Sequence, residues 1–499
     1  MANNLRQLII LNSALLILLS SCSIEKQISK SVQADVLNIK ALQTAHVGIS
    51  IYDPAANKYL YNYQGDKYFV PASNTKIPTC YAAMKYLGDS LVGLKYGFSR
   101  SKGQYDSAVL GIQPSGDPTF LHPDYKRQPV WDFFSANSKK HTEAIGILDT
   151  IWQEGRWGSG WSWTDYDASY MAERNVMPIY GNVINIKLNN PNQRGIQDTT
   201  YPQLSNPKMF KTQHPLFDTM VNANTYLLLP DNLLSSSPLF QIKRSVASNN
   251  FWFDKSTTKF SNTSIPFVTW AADGLWSKYS SSMTLDVISS DLKFRFGIIL
   301  PQGGDSSYAF IGPDSRSVGI KIKEWHVIHS QPTDSVLKPM MHRSDNFFAE
   351  QNLLMVSNEK LGVMNDAKII DTILKTDFKD LPQKPRWADG SGLSRYNLFT
   401  PQSFVAILNK MKNEFGMERI KVIFPTGGEG TISSYYKADS GYIYAKTGTL
   451  SGVVAFSGYL YTRKGKLLIF STLVNNHQAS ATDIRRAIEK FLQGIRNRY

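Results

Sequence analysis

The chain has 499 residues, 42% of them apolar, and a formal charge of +14 from 54 Lys and Arg against 40 Asp and Glu. That length favours two or more domains with a sizeable core. The charge is spread without a basic run or nucleic-acid motif, which excludes nucleic acid as partner; a solvated basic surface remains, or one drawn to anionic cell-wall polymer or lipid headgroups.

In chain order, Arg6 and the apolar run from Leu8 to Leu19, interrupted by Asn12, form a signal-like segment too short to span a membrane. Leu19-Ser20-Ser21-Cys22 then looks like a lipobox, which would make Cys22 the lipidated N-terminus of a bacterial lipoprotein. Residues 1–22 are thus assigned to the signal and 23–36, polar and carrying Lys26 and Lys30, to a tether. The expected location is periplasmic, anchored by lipid to a bacterial membrane, with the outer membrane favoured. Apart from Cys22 the sole cysteine is Cys80, so an internal disulfide has no partner, and eight scattered His residues show no metal-ligand spacing. No metal or cofactor is expected.

His46 to Tyr63 alternates like a hairpin turning at Asp53-Pro54, and Thr79 to Leu87 has a helical pattern. Residues 101–325 differ in character, being rich in Ser, Asn, Asp and Trp with short strand-like runs such as Val183 to Leu188. We expect an insertion of mainly β subdomains there, between a first part at 37–100 and a second at 326–499. Trp152, Trp157, Trp161 and Trp163 cluster inside it, suited to aromatic packing or to stacking on sugar rings. Gly452 to Tyr461 and Lys466 to Val474 predict a second hairpin. A final helix from Thr482 to Arg498 places Ile484, Ile488, Phe491, Leu492 and Ile495 on one face. Antiparallel strands at both ends of the chain, with helices against them, predict one α+β domain assembled from the two termini.

Three short motifs carry chemistry. Ser73-Asn74-Thr75-Lys76 sets a hydroxyl and an amine one helical turn apart, where Pro71-Ala72 breaks an extended run ahead of a helix. Ser344-Asp345-Asn346 adds a second hydroxyl and a carboxamide, and Lys446-Thr447-Gly448-Thr449 is the only K-T-G in the chain. S-x-x-K alone recurs elsewhere; the ordered set of three is what singles out Ser73. A serine becomes nucleophilic when a nearby base takes its proton, and a lysine serves as that base only when burial or a second ammonium lowers its pKa. Pro78, two residues past Lys76, sits where a kink would displace that lysine unless it falls in the first turn.

In this order the three triplets resemble the active site of penicillin-binding proteins and serine β-lactamases. Across nearly the whole mature chain the resemblance is to the low-molecular-mass class C penicillin-binding proteins, D-alanyl-D-alanine carboxypeptidases and endopeptidases of peptidoglycan. It includes Ser115-Gly116-Asp117-Pro118-Thr119, Gly160 to Asp165, Asp389 to Arg395, Phe424 to Gly428 and Gly430-Thr431. The long interval between Ser73 and Ser344 matches a family that carries its extra domains there. The resemblance implies a β-lactamase/transpeptidase-like fold, with an antiparallel sheet flanked by helices. It implies Ser73 as nucleophile, Lys76 as base, and Ser344, Asn346 and Lys446 as the other catalytic groups. Thr447, Gly448 and Thr449 would bind the substrate, its carboxylate being held by Lys446 and the two threonines; Ser73 and Thr449 N–H groups would form the oxyanion hole. Asp165 and Arg395 would grip the two charged ends of a diaminopimelate side chain. Peptidoglycan stem peptides and β-lactam antibiotics are the implied ligands. Two alternatives remain open at this stage: a β-lactamase or esterase on the same scaffold, with Glu350 as a candidate deacylating group, and a non-catalytic cell-wall-binding lipoprotein.

Overall fold

The computed structural model describes residues 26–100, 108–138, 144–148, 150–188, 210–223, 225–228, 242–254, 262–269, 282–302, 307–311 and 317–499. Cys22 and the lipobox lie outside them. The chain divides into two compact units: one of Leu337–Asp345, Ile370–Tyr499 and the residues up to Met84, the other of Lys85–Val336 and Asn346–Ile369.

The first unit is built on a five-stranded antiparallel sheet. Its order is Ile443–Leu450, Val453–Tyr461, Leu467–Asn475, His46–Asp53 and Lys58–Tyr63. Both expected hairpins are present, and strand His46–Asp53 joins them by pairing with Leu467–Asn475, from His46 opposite Asn475 to Tyr52 opposite Ile469. This pairing is what makes one domain from the two ends of the chain. On one face lies the C-terminal helix Ala481–Arg498, opened by Ser480, whose hydroxyl accepts from Thr482 N at 3.2 Å. Its five expected apolar residues are all buried, each contributing roughly 1.5–3 kcal/mol. Helix Pro401–Ile423 lies against the same sheet, with Tyr459 Oη donating to Leu408 O at 2.7 Å.

Residues 26–36 depart from the expected tether. They form a helix over 26–32 that continues as a π-helical stretch, Gln33–Leu37. Ile28, Val32 and Val36 recur every fourth residue and are buried in the core that holds Ile484, Ile488, Leu492 and Ile495. Lys490 pairs with Asp35 at 2.9 Å, and Arg498 donates to Ser31 Oγ. The burial of that apolar stripe explains why this polar-looking segment folds.

The second unit also starts and ends away from the expected 101 and 325. Strand Ser90–Arg100 belongs to a seven-stranded sheet between His326–Pro332 and Ala108–Pro114, and the sheet continues through Ala144–Ile147, Arg295–Pro301, Ser307–Ile311 and Ser317–Lys321. Among the described residues, two three-stranded sheets and helices Pro129–Ser138, Pro215–Ala223 and Ser282–Leu292 accompany it, and strand residues outnumber helical ones, as a mainly β insertion implies. Helix Asn346–Leu361 joins the same unit, Leu354 and Met364 entering its core.

Candidate active site

Phe69 exchanges backbone hydrogen bonds with Phe399, and the Asn475 carboxamide clamps Val70, accepting from its N at 2.7 Å and donating to its O at 3.0 Å. The chain then turns sharply at Ala72, which is held at φ +48°, an uncommon conformation for a side chain-bearing residue. A 3₁₀ turn, Ala72–Thr75, leads into the α-helix Lys76–Tyr86. Pro78 therefore falls in the first α-helical turn, where its missing N–H does least harm. Cys80 is a buried core residue of this helix.

Ser73 is half-buried, while Lys76 is fully buried. Lys76 Nζ lies 3.0 Å from Ser73 Oγ and donates to Ser391 O at 2.7 Å. That carbonyl belongs to a loop tied by Asp389, whose two oxygens accept from Gly392 N at 2.8 Å, Asn397 Nδ2 at 2.7 Å and Ser394 N at 2.7 Å. Gly392 (φ +85°) leaves no room for a side chain, since a Cβ there would stand 1.9 Å from Ala72 O. The Asp389 to Arg395 motif thus becomes a backbone cradle for the Lys76 amine beside Ser73.

Strand Ile443–Leu450 is an edge strand that runs past this turn. Gly448 allows the approach: an added Cβ would meet Pro71 O at 2.6 Å, Ser73 N at 3.0 Å and Asn74 N at 3.1 Å. Asn74 Nδ2 fixes the turn from beneath by donating to Ser457 Oγ at 2.7 Å. Lys446 is fully buried, and its Nζ donates to Ser344 Oγ at 2.9 Å and Thr447 O at 2.7 Å. Its pKa is held well below the ordinary lysine value, first by burial, then by the charges of Lys76 and Arg485. Ser344 itself sits at φ +61°, so two of the positions that set the site's geometry carry left-handed backbone. The structure therefore brings together Ser73, Lys76, Ser344, Lys446, Thr447, Gly448 and Thr449.

Asn346 opens helix Asn346–Leu361 of the second unit, where its Nδ2 donates to Tyr170 O at 2.9 Å. Asp165, itself half-buried, ends an otherwise exposed 3₁₀ turn of that unit, and its carboxylate is one cause, after burial, of a Tyr170 hydroxyl pKa raised to about 12. Arg395 is exposed in the first unit and donates to Ser451 O at 3.0 Å. Trp163, from the tryptophan cluster, is 74% exposed, so that ring is not core packing. Glu350, the candidate deacylating group, is buried 3.6 Å from Arg174, which also binds Asp366 at 2.5 Å and Glu154 at 3.0 Å. It is one acid of a buried ion cluster. Sequence reasoning missed three groups: the Ser391 carbonyl, Thr431, whose hydroxyl accepts from Thr447 Oγ1 at 2.7 Å, and Arg485, whose Nη2 donates to Thr449 Oγ1 at 2.5 Å. Gly430-Thr431 belonged to a motif already noted; Arg485 has no such signal. Among the described residues no group of three or more His, Cys, Asp or Glu is placed to hold a metal ion, and no helix is long and apolar enough to cross a membrane.

The sequence matches the D-Ala-D-Ala carboxypeptidase 3 (S13) family over residues 28–230 and 320–495. The chain belongs to that family. It is accordingly a serine peptidase, a D-alanyl-D-alanine carboxypeptidase of the low-molecular-mass class C penicillin-binding proteins. Among its relatives is the D-alanyl-D-alanine carboxypeptidase DacB of Haemophilus influenzae, 22% identical, with 99% of each chain covered. Another, from an Actinomadura species, is a D-alanyl-D-alanine carboxypeptidase 24% identical over 89% of this chain and 80% of its own. The fold is that of the crystal structure of penicillin-binding protein 4 from H. influenzae, with a TM-score of 0.66 at 20% identity, covering 94% of this chain and 98% of the other.

Proposed function

We propose that the enzyme hydrolyses peptidoglycan stem peptides, and D-Ala–diaminopimelate crosslinks, through an acyl-enzyme on Ser73. The observation that carries this reading is the fully buried Lys76 amine 3.0 Å from Ser73 Oγ. Lys76, neutral at that moment, takes the hydroxyl proton as Ser73 attacks the carbonyl of the penultimate D-alanine. Backbone N–H groups of Ser73 and Thr449 receive the developing oxyanion, each such donor being worth about 2.7–4 kcal/mol in other enzymes. Ser344 accepts a hydrogen bond from Lys446, which leaves its own proton to pass to the departing amine. Water then releases the acyl group, so carboxypeptidase and endopeptidase action share one machinery. Asn346 orients the substrate amide; Lys446, Thr447 and Thr449 receive the terminal carboxylate. Asp165 and Arg395 select the ammonium and carboxylate of a diaminopimelate side chain. β-Lactams acylate the same serine.

Release of D-alanine from a diaminopimelate-containing pentapeptide tests the activity. It should vanish in Lys76→Ala and fall with neutralisation of Asp165 or Arg395; an unchanged rate in Lys76→Ala would refute the assignment. The lipid anchor at Cys22 and the periplasmic, membrane-bound location belong to the same proposal. They rest on the lipobox pattern and are tested by metabolic palmitate labelling, expected in the native chain and absent in Cys22→Ser.

A further inference from the structure

Arg485 is the fifth residue of the C-terminal helix and half-buried. Its side chain reaches the edge strand and donates to Thr449 Oγ1. Together with Thr447 it lines a small cleft between the helix and the sheet, walled by Tyr435, Val454, Phe456 and Ile488. Among the described residues its guanidinium has no carboxylate at ion-pair distance, whereas the adjacent Arg486 is held by Glu489 at 2.5 Å. Lys76 and Arg485 both lie close enough to the buried Lys446 amine for their charges to lower its pKa. Such an array favours an anion.

We propose that Arg485 supplies the countercharge for the substrate's terminal carboxylate, with the Thr449 hydroxyl providing a hydrogen bond. This rests on the stem-peptide reading and adds to it a residue that discriminates free acids from amides or esters. The hydrogen bond explains how the two parts cooperate. By accepting from Arg485, the Thr449 oxygen is left with its own O–H to donate outward to the ligand. A guanidinium suits this place because it keeps its charge beside two amines that titrate more readily. The groups facing Lys446 are Lys76, Ser344, Arg485 and His342, with Glu429 3.9 Å from His342. A bound carboxylate offsets the Lys76 and Arg485 charges that lower the Lys446 pKa, so Lys446 gains affinity for its proton when the ligand arrives.

The test measures equilibrium binding of diacetyl-L-Lys-D-Ala-D-Ala and of its C-terminal carboxamide in Ser73→Ala protein, where no chemistry follows. Arg485→Gln retains an N–H donor for Thr449 but removes the charge; Arg485→Lys restores the charge. The preference for the acid should fall about tenfold in Arg485→Gln, as expected for one charge-assisted contact, and recover in large part in Arg485→Lys. Proton uptake on binding the acid, followed in two buffers, should fall in Arg485→Gln as well. Equal losses for acid and amide, or an undiminished preference in Arg485→Gln, would overturn the proposal and leave Arg485 as a prop for Thr449. Because the assay needs no acylation, failure of the Ser73 mechanism and failure of the Arg485 assignment give different results.

Discussion

Gly448→Ala isolates the contact on which the site's assembly depends. The new methyl would lie 2.6 Å from Pro71 O, and ordinary contact begins near 3.4 Å, so the edge strand and the nucleophile turn must part by about 0.8 Å. The atoms in the way are backbone of the Ala72 turn and cannot rotate aside. Thr449 N and Ser73 N, the two expected oxyanion donors, sit on opposite sides of that gap. A misplacement of this size costs roughly 10²-fold in rate, and the overpacking about 1–3 kcal/mol of stability. The assay is the second-order rate of acylation by a fluorescent penicillin, with thermal melting alongside. We expect acylation to fall about a hundredfold while the protein still melts cooperatively. Acylation within threefold of the native rate would refute the idea that this glycine sets the spacing.

Two further perturbations test the supports. Asp389→Asn can no longer accept on both oxygens, so it should lose roughly 2–4 kcal/mol in urea melts and slow acylation by releasing the Ser391 carbonyl from Lys76; a loss below about 1 kcal/mol would contradict that role. Glu154 is raised from 4.5 to about 7, mainly by burial and by Asp366, with Arg174 opposing. The folded protein then holds the extra proton between those values, so its stability falls as pH rises through 4.5 to about 7. Glu154→Gln should therefore gain melting temperature relative to the native protein between pH 5 and pH 8, and a difference that does not change with pH would exclude the linkage.

The grouping of Ser73, Lys76, Ser344 and the K-T-G strand was legible because each is a local pattern and the three occur in one order. Both hairpins and the last helix were legible for the same reason: their periodicity is contained in one stretch of chain. What could not be read depends on distance. Strand Ser90–Arg100 pairs with His326–Pro332, more than 200 residues away, so no local change of composition marks the unit boundary near Met84. Ser391 acts through a carbonyl, which every residue has. Arg485 and Arg486 are neighbours on an amphipathic helix; the second pairs with Glu489 three residues on in the same helix, but only the fold turns the first toward Thr449. The helix at 26–37 was visible in the four-residue spacing of Ile28, Val32 and Val36, but the polar residues between them argued for a tether.

The most direct test of the account is peptide mapping by mass spectrometry after exposure to benzylpenicillin. The mechanism predicts one penicilloyl group on the peptide that contains Ser73, absent in Ser73→Ala and strongly reduced in Lys76→Ala, with both variants folded. An adduct on another residue, or none on folded native protein, would contradict the Ser73 acyl-enzyme.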